Sequence, residues 1–219
     1  KKGFLCFNFC KLIMDKQESV CKFFVSAQGC IKGRWCTYAH ITNADSMSLY
    51  QRARLAFDSG NFNRALMLFE KLRAFSDKPS APVFYFIAYC HKELKHYNDA
   101  LKYIEAAMFN EDDVPCYHGF YASLYHYHFK DYKVAKKHYK KALQLYNQNN
   151  IDSYKQFSGV RGPSKLHCDF GLLLVTINDN DYQMAKYHFK ESINISNGRY
   201  PYAFFNLARL YEKENKYNK

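Results

Sequence analysis

The strongest constraint on this chain is a spacing. An aromatic residue is followed three positions later by alanine at Phe62 and Ala65, Tyr97 and Ala100, Tyr132 and Ala135, and Tyr182 and Ala185. The first three alanines are 35 residues apart and the fourth lies 50 residues further on. Tyr217 stands where a fifth pair is due. A period in the mid-thirties specifies stacked supersecondary units. One unit of that length cannot bury its apolar face alone, so its neighbours must complete the core.

Within each period the apolar residues recur at helical spacing. In residues 81–114, Phe84, Ile87, Ala88 and His91 share one face of a predicted first helix. A turn follows near Lys95 and His96, and Tyr97, Ala100, Leu101, Ile104 and Ala107 share one face of a second helix. Small residues let paired helices approach closely, and aromatics fill the space between units. This pattern resembles the tetratricopeptide repeat (TPR) family. Residues 46–79 match through Ala53, Gly60, Phe62, Ala65 and Phe69, and residues 201–219 through Phe204, Leu207, Ala208, Tyr211 and Tyr217. Two copies depart from it. Residues 116–149 put Gly119 where a large apolar residue is usual and Ser123 at the small position, and residues 166–199 put Leu173 at the small position.

The resemblance implies an all-α fold: a TPR-like α-α solenoid of about five repeats over residues 46–219, the last one truncated. An irregular insertion is expected at about 150–165, with Arg161 and Lys165 as its notable cations. Such arrays bind protein or peptide partners in a groove lined by first helices. By analogy the lining is Tyr50, Arg54, Tyr85, Tyr89, Phe120 and Tyr127, followed by Phe170, Phe205 and Arg209. The Lys/Asn/Arg clamp of the members that hold chaperone tails is not recognisable here.

Ahead of the repeats lies a different signature. Residues 21–40 carry Cys21, Cys30, Cys36 and His40 in the order C-x8-C-x5-C-x3-H. Three thiolates and an imidazole form a closed tetrahedral set for Zn²⁺, as in structural zinc sites. So short a segment has almost no core, and the metal must supply its folding free energy, roughly 10–16 kcal/mol in zinc-finger peptides. The spacing resembles the CCCH zinc-finger family, as do Gly33 in the second gap, Tyr38 before the histidine and Phe23 after the first cysteine. Fingers of that family commonly bind single-stranded RNA. The composition is suited to it: Phe23, Trp35 and Tyr38 offer stacking faces, and Lys22, Lys32 and Arg34 offer phosphate neutralisation. Lys32 stands where RNA-binding members often carry a second stacking aromatic, and residues 15–20 do not resemble the leader of the AU-rich-element binders. A domain plan follows: an N-terminal extension at 1–20, the finger at 21–40, and the repeat array at 46–219.

The net charge of +12 favours anionic partners, nucleic acid first. The densest basic run, 130–141, places Lys133, Lys136, Lys137, Lys140 and Lys141 on the outer part of a second helix beside Tyr139. Three of the eight cysteines belong to the metal pattern. The other five, Cys6, Cys10, Cys90, Cys116 and Cys168, are scattered and odd in number, which fits free thiols in the cytoplasm or nucleus better than a disulfide framework. No stretch approaches the roughly 18 apolar residues of a membrane span. There is no phosphate-binding glycine loop, GxSxG elbow or HExxH helix. His91, His96, His118, His126, His128 and His138 have no spaced carboxylate or cysteine partner and read as packing or surface residues. Position 1 is not Met and the last repeat is incomplete, so the chain reads as part of a longer protein.

The expected function is that of a zinc-dependent, RNA-associated adaptor and not an enzyme: the finger holds single-stranded RNA and the repeats hold a protein. Two alternatives share this architecture, a protein scaffold whose finger is a zinc-stapled cap, and a non-catalytic regulatory region of a larger RNA-processing enzyme. Cys30→Ser is expected to release zinc and unfold residues 21–40 while the repeats, which have their own core, keep their helical circular dichroism. Loss of the helical signal in that variant would show that the two modules do not fold separately.

Overall fold

The computed structural model describes residues 49–74, 79–148, 162–177 and 182–217. The N-terminal extension, the finger segment and most of the expected insertion lie outside these residues. Among the described residues the fold is all helical. In chain order the helices are α1 (Leu49–Asp58), α2 (Phe62–Ala74), α3 (Ala81–Glu93), α4 (Tyr97–Asn110), α5 (Pro115–Leu124), α6 (Tyr132–Gln148), α7 (Gly162–Thr176), α8 (Tyr182–Ile195) and α9 (Pro201–Tyr217). A π-helical turn, Tyr125–Phe129, extends α5. Odd-numbered helices are first helices of α-α repeats and even-numbered ones are second helices, as the period predicts.

The repeat length is written into the backbone. Gly60, Lys95 and Lys130 have φ of 76°, 66° and 59°. These left-handed residues are 35 positions apart and close the first helix of successive repeats. The hydrogen bonds around the first two form the glycine-type helix stop in full. Asn61 donates its N–H to the Ala56 carbonyl and Gly60 to Phe57, and His96 donates to His91 and Lys95 to Lys92. Asn197, with φ of 49°, closes α8 in the same way. The following residue often caps the next helix through its side chain. Asn61 Oδ1 accepts from the Arg64 N–H, and Asp131 Oδ1 accepts from the N–H groups of Lys133 and Val134. Proline fixes several starts, at Pro82 in α3, Pro115 in α5, Pro163 in α7 and Pro201 in α9.

Two compact units divide within α4 after Tyr103. In the first, α1 and α2 form a hairpin and α3 packs on α2. Its core joins Ala53, Ala65, Phe69, Ile87 and Cys90. In the second, α5 pairs with α6, α7 pairs with α8, α6 packs on α7 and α9 packs on α8. Ala135, Tyr139, Phe170, Leu173, Ala185 and Phe189 form its core. Cys90 and Cys168 are buried free thiols, and Cys116 is half-buried.

The fourth repeat solves its close approach differently from the expectation. Leu173 is buried at the small position, but the helix contact is made two residues earlier. A Cβ placed on Gly171 would lie 2.8 Å from a ring carbon of Phe189. The insertion also ends sooner than expected, because residues 162–165 form the first turn of α7. Phe189 is fully enclosed and its ring cannot swing away. Gly171→Val is therefore expected to destabilise the second unit by about 2 kcal/mol, overpacking outweighing the gain in helix propensity. Gly119→Ala meets only Leu166, at 3.2 Å, and should cost less. Urea denaturation of both variants checks the order.

Candidate functional site

The first unit presents an aromatic face built by two first helices. On α1, Tyr50, Arg54 and Phe57 follow one another at helical spacing, and on α3 so do Tyr85, Phe86, Tyr89 and Lys92. Their rings interlock edge to face. Phe57 lies 5.2 Å from Phe86 and 5.0 Å from Tyr89, Tyr50 lies 6.3 Å from Phe86, and Tyr85 lies 6.3 Å from Tyr89. Beneath them Phe86 stacks on core Phe69 at 5.1 Å. The Arg54 guanidinium sits 4.5 Å above the Phe86 ring and also reaches Asp58 at 3.2 Å. Lys92 Nζ lies 5.0 Å above Tyr89 and 2.9 Å from Glu93. These rings are half-buried, so each offers an edge or part of a face while its remainder is fixed by packing. Large, rigid side chains with two cations held over them suit an extended peptide that brings apolar and acidic groups.

Four of the residues expected to line a groove, Tyr50, Arg54, Tyr85 and Tyr89, come together on this face. The other residues expected in the lining do not join this face. Phe120 and Phe170 are 7% and 3% exposed, and Phe170 lies in the second unit's core between Tyr139 and His188. Tyr127 lies in the π-helical turn, and its hydroxyl donates to Asp169 Oδ1 at 2.8 Å. Phe205 and Arg209 are exposed on α9, with the guanidinium 5.6 Å from the ring. Along the basic run, Lys133, Lys137, Lys140 and Lys141 are solvent-facing, whereas Tyr139 is a fully buried core ring and not part of an outer surface. Cys21, Cys30, Cys36 and His40, with Lys22, Phe23, Lys32, Arg34, Trp35 and Tyr38, lie outside the described residues. Sequence reasoning missed Phe57 and Phe86. The signal for Phe57 was present: it lies one helical repeat beyond Tyr50 and Arg54.

The second unit holds buried polar chemistry. Asp169, 6% exposed, is met by the Tyr127 hydroxyl and by Lys165 Nζ at 2.5 Å, so a buried carboxylate has two donors. Lys165, expected in a loop, is thus a helical residue committed to an ion pair. Burial and the neighbouring Asp169 both push the Tyr127 phenol well up. Two histidine pairs bridge first and second helices. His118 Nδ1 lies 3.1 Å from His138 Nδ1, with His118 Nε2 2.8 Å from the Asp112 carbonyl. His167 Nδ1 lies 3.0 Å from His188 Nδ1. In each pair one ring must donate and the other accept, which requires at least one neutral imidazole. Burial holds His138, His167 and His188 down at about 4, with the partner imidazole contributing to the shift at His138 and His167.

A tetratricopeptide repeat family model matches residues 81–108, which covers α3 and most of α4. No curated protein matches the sequence. Solved structures share the fold at low identity. A BtubC (BKLC) protein from P. vanneervenii is 14% identical with a TM-score of 0.57, covering 78% of this chain and 73% of that one. A MamA protein is 14% identical with a TM-score of 0.55, covering 76% and 81%. The first TPR of Spaghetti (RPAP3), bound to the HSP90 peptide SRMEEVD, is 15% identical with a TM-score of 0.51, covering 64% and 96%. The TPR-like helical-repeat fold is common to all three.

The paired histidines set a pH dependence. The pKa values of His138, His167 and His188 are about 4 folded against 6.5 for the ordinary side chain, so the unfolded chain takes up protons first as pH falls. Stability is full above about pH 6.5 and falls progressively between there and about pH 4. The urea midpoint of the helical signal is expected to drop across that window, and His167→Leu/His188→Leu should flatten the drop. A midpoint that stays level would mean the pairs protonate freely in the folded state.

Proposed function

We propose that this chain is a protein-interaction adaptor whose helical repeats take a peptide on the aromatic face of α1 and α3. The observation that carries the reading is the interlocked set Tyr50, Arg54, Phe57, Tyr85, Phe86 and Tyr89 on two adjacent first helices. Support comes from the tetratricopeptide match over α3 and α4 and from a fold relative whose TPR is bound to a peptide. The cations over the rings and the net charge of +12 favour an acidic partner segment that also carries apolar side chains. The chain acts by binding and not by catalysis.

The second half of the reading rests on sequence. The C-x8-C-x5-C-x3-H spacing supports a Zn²⁺-held finger at 21–40 with Cys21, Cys30, Cys36 and His40 as ligands. Its aromatics and cations, Phe23, Trp35, Tyr38, Lys22, Lys32 and Arg34, support single-stranded RNA as the finger's ligand. The chain then joins an RNA to a protein.

Two titrations with the full chain separate the halves. Fluorescent acidic peptides bearing a leucine or phenylalanine are expected to bind, more weakly at higher salt, and to lose at least tenfold in affinity to Arg54→Glu/Tyr89→Ala. Short single-stranded RNAs are expected to ignore that variant and to fail with Trp35→Ala/Tyr38→Ala. Peptide affinity unchanged by Arg54→Glu/Tyr89→Ala would remove the α1 and α3 face as the site. RNA affinity that ignores the finger variant but falls with salt would move RNA to the basic face of α6.

A further inference from the structure

We infer a divalent-metal site at the turn between α3 and α4, formed by His91, His96 and Asp99. One ligand atom from each of the three lies within 4.8 Å of the other two. All three belong to the first unit, and the site is independent of the finger's cysteines.

The local structure explains why these residues meet. His91 lies in the last turn of α3 and Asp99 in the first turn of α4. Lys95, with its left-handed φ, reverses the chain so tightly that His96 donates its N–H to the His91 carbonyl. His96 occupies the place where Asn61 and Asp131 cap the following helix in the neighbouring repeats. A histidine there is a departure from the capping residues, and its ring lies 5.8 Å from that of His91. The His91 ring is held by stacking on Tyr103 at 5.4 Å with an interplanar angle of 8°, and the Tyr103 hydroxyl is anchored on Glu70. His91 Nδ1 is buried with no hydrogen-bond partner among the described residues.

Two imidazoles and a carboxylate suit Zn²⁺ and its borderline neighbours Co²⁺ and Ni²⁺, and do not suit Mg²⁺ or Ca²⁺. The charge around the site is mixed. Asp99 and the C-terminal end of α3 favour a cation, while the N-terminal end of α4 and the adjacent Lys95 oppose it. Lys92 is compensated by Glu93, and Arg73 by Glu70. Three protein ligands leave a coordination position open, and His96 and Asp99 are exposed, so water or a partner's side chain completes the shell. The ion ties the end of a first helix to the start of its second.

The full chain is titrated with Co²⁺. Any equivalent taken by cysteines announces itself by thiolate charge-transfer absorption. The site proposed here is a further equivalent, of micromolar affinity, with visible cobalt bands and no thiolate absorption, displaced by Zn²⁺. His96→Gln/Asp99→Asn changes two exposed positions and is expected to remove that equivalent while leaving the thiolate signal and the helical circular dichroism intact. Cobalt uptake confined to thiolate-type equivalents, or a thiolate-free equivalent that persists in the double variant, would overturn the site.

Discussion

Everything described here depends on one contact, the seating of a small residue of each second helix against its first helix. Ala65, Ala100, Ala135 and Ala185 are all completely buried. One turn later on the same face come Phe69, Ile104, Tyr139 and Phe189, each enclosed. The alanine brings the helix axes together, and the large residue fills the wedge that opens beyond it. Each such ring or branched chain contributes about 1.5–3 kcal/mol by leaving water. Neither half of the device works without the other: a bulkier residue at the alanine would part the helices, and a smaller one at the next turn would leave a void.

The same seating determines which side chains remain for a partner. A first helix turns its small residues toward its second helix, so the larger ones beside them are left between repeats. In α1 and α3 those are Tyr50, Phe57, Phe86 and Tyr89, and Arg54 closes over them. In α5 and α7 the corresponding space is occupied from inside. Phe120 and Phe170 are buried, the Tyr127 phenol donates to the buried Asp169 carboxylate, and two histidine pairs meet ring nitrogen to ring nitrogen. The first unit thus leaves half-buried rings between its first helices, and the second encloses polar groups there.

Most of the fold was legible in the sequence because the period rests on residue types with a steric reason to recur. The alanines, their aromatic partners and the turn near Lys95 all stand where the pattern puts them. The site was legible in part. Tyr50, Arg54, Tyr85 and Tyr89, expected by analogy with the first helices of TPR arrays, come together on α1 and α3. Phe120 and Phe170 do not join them, because which of two neighbouring phases faces inward is decided by packing against other elements. Tyr127 stands in a π-helical turn, which rotates its residues relative to an α-helix of equal length and which spacing alone does not announce. Gly171 was overlooked because the fourth repeat shifts its close approach by half a turn. Asp99 does not stand out beside His91 and His96 in the sequence, because the three come together only through the turn at Lys95.

The left-handed residues at 60, 95 and 130 have one more consequence. Between any two successive ones the chain leaves and re-enters the same backbone conformation after a whole repeat. A segment cut at Gly60 and Lys95 therefore has interchangeable ends, and the joint left by removing or doubling it is the turn already present. Repeat number in this architecture is thereby separated from turn geometry. The array can lengthen or shorten by copying, with selection left to act only on the faces that the copies expose.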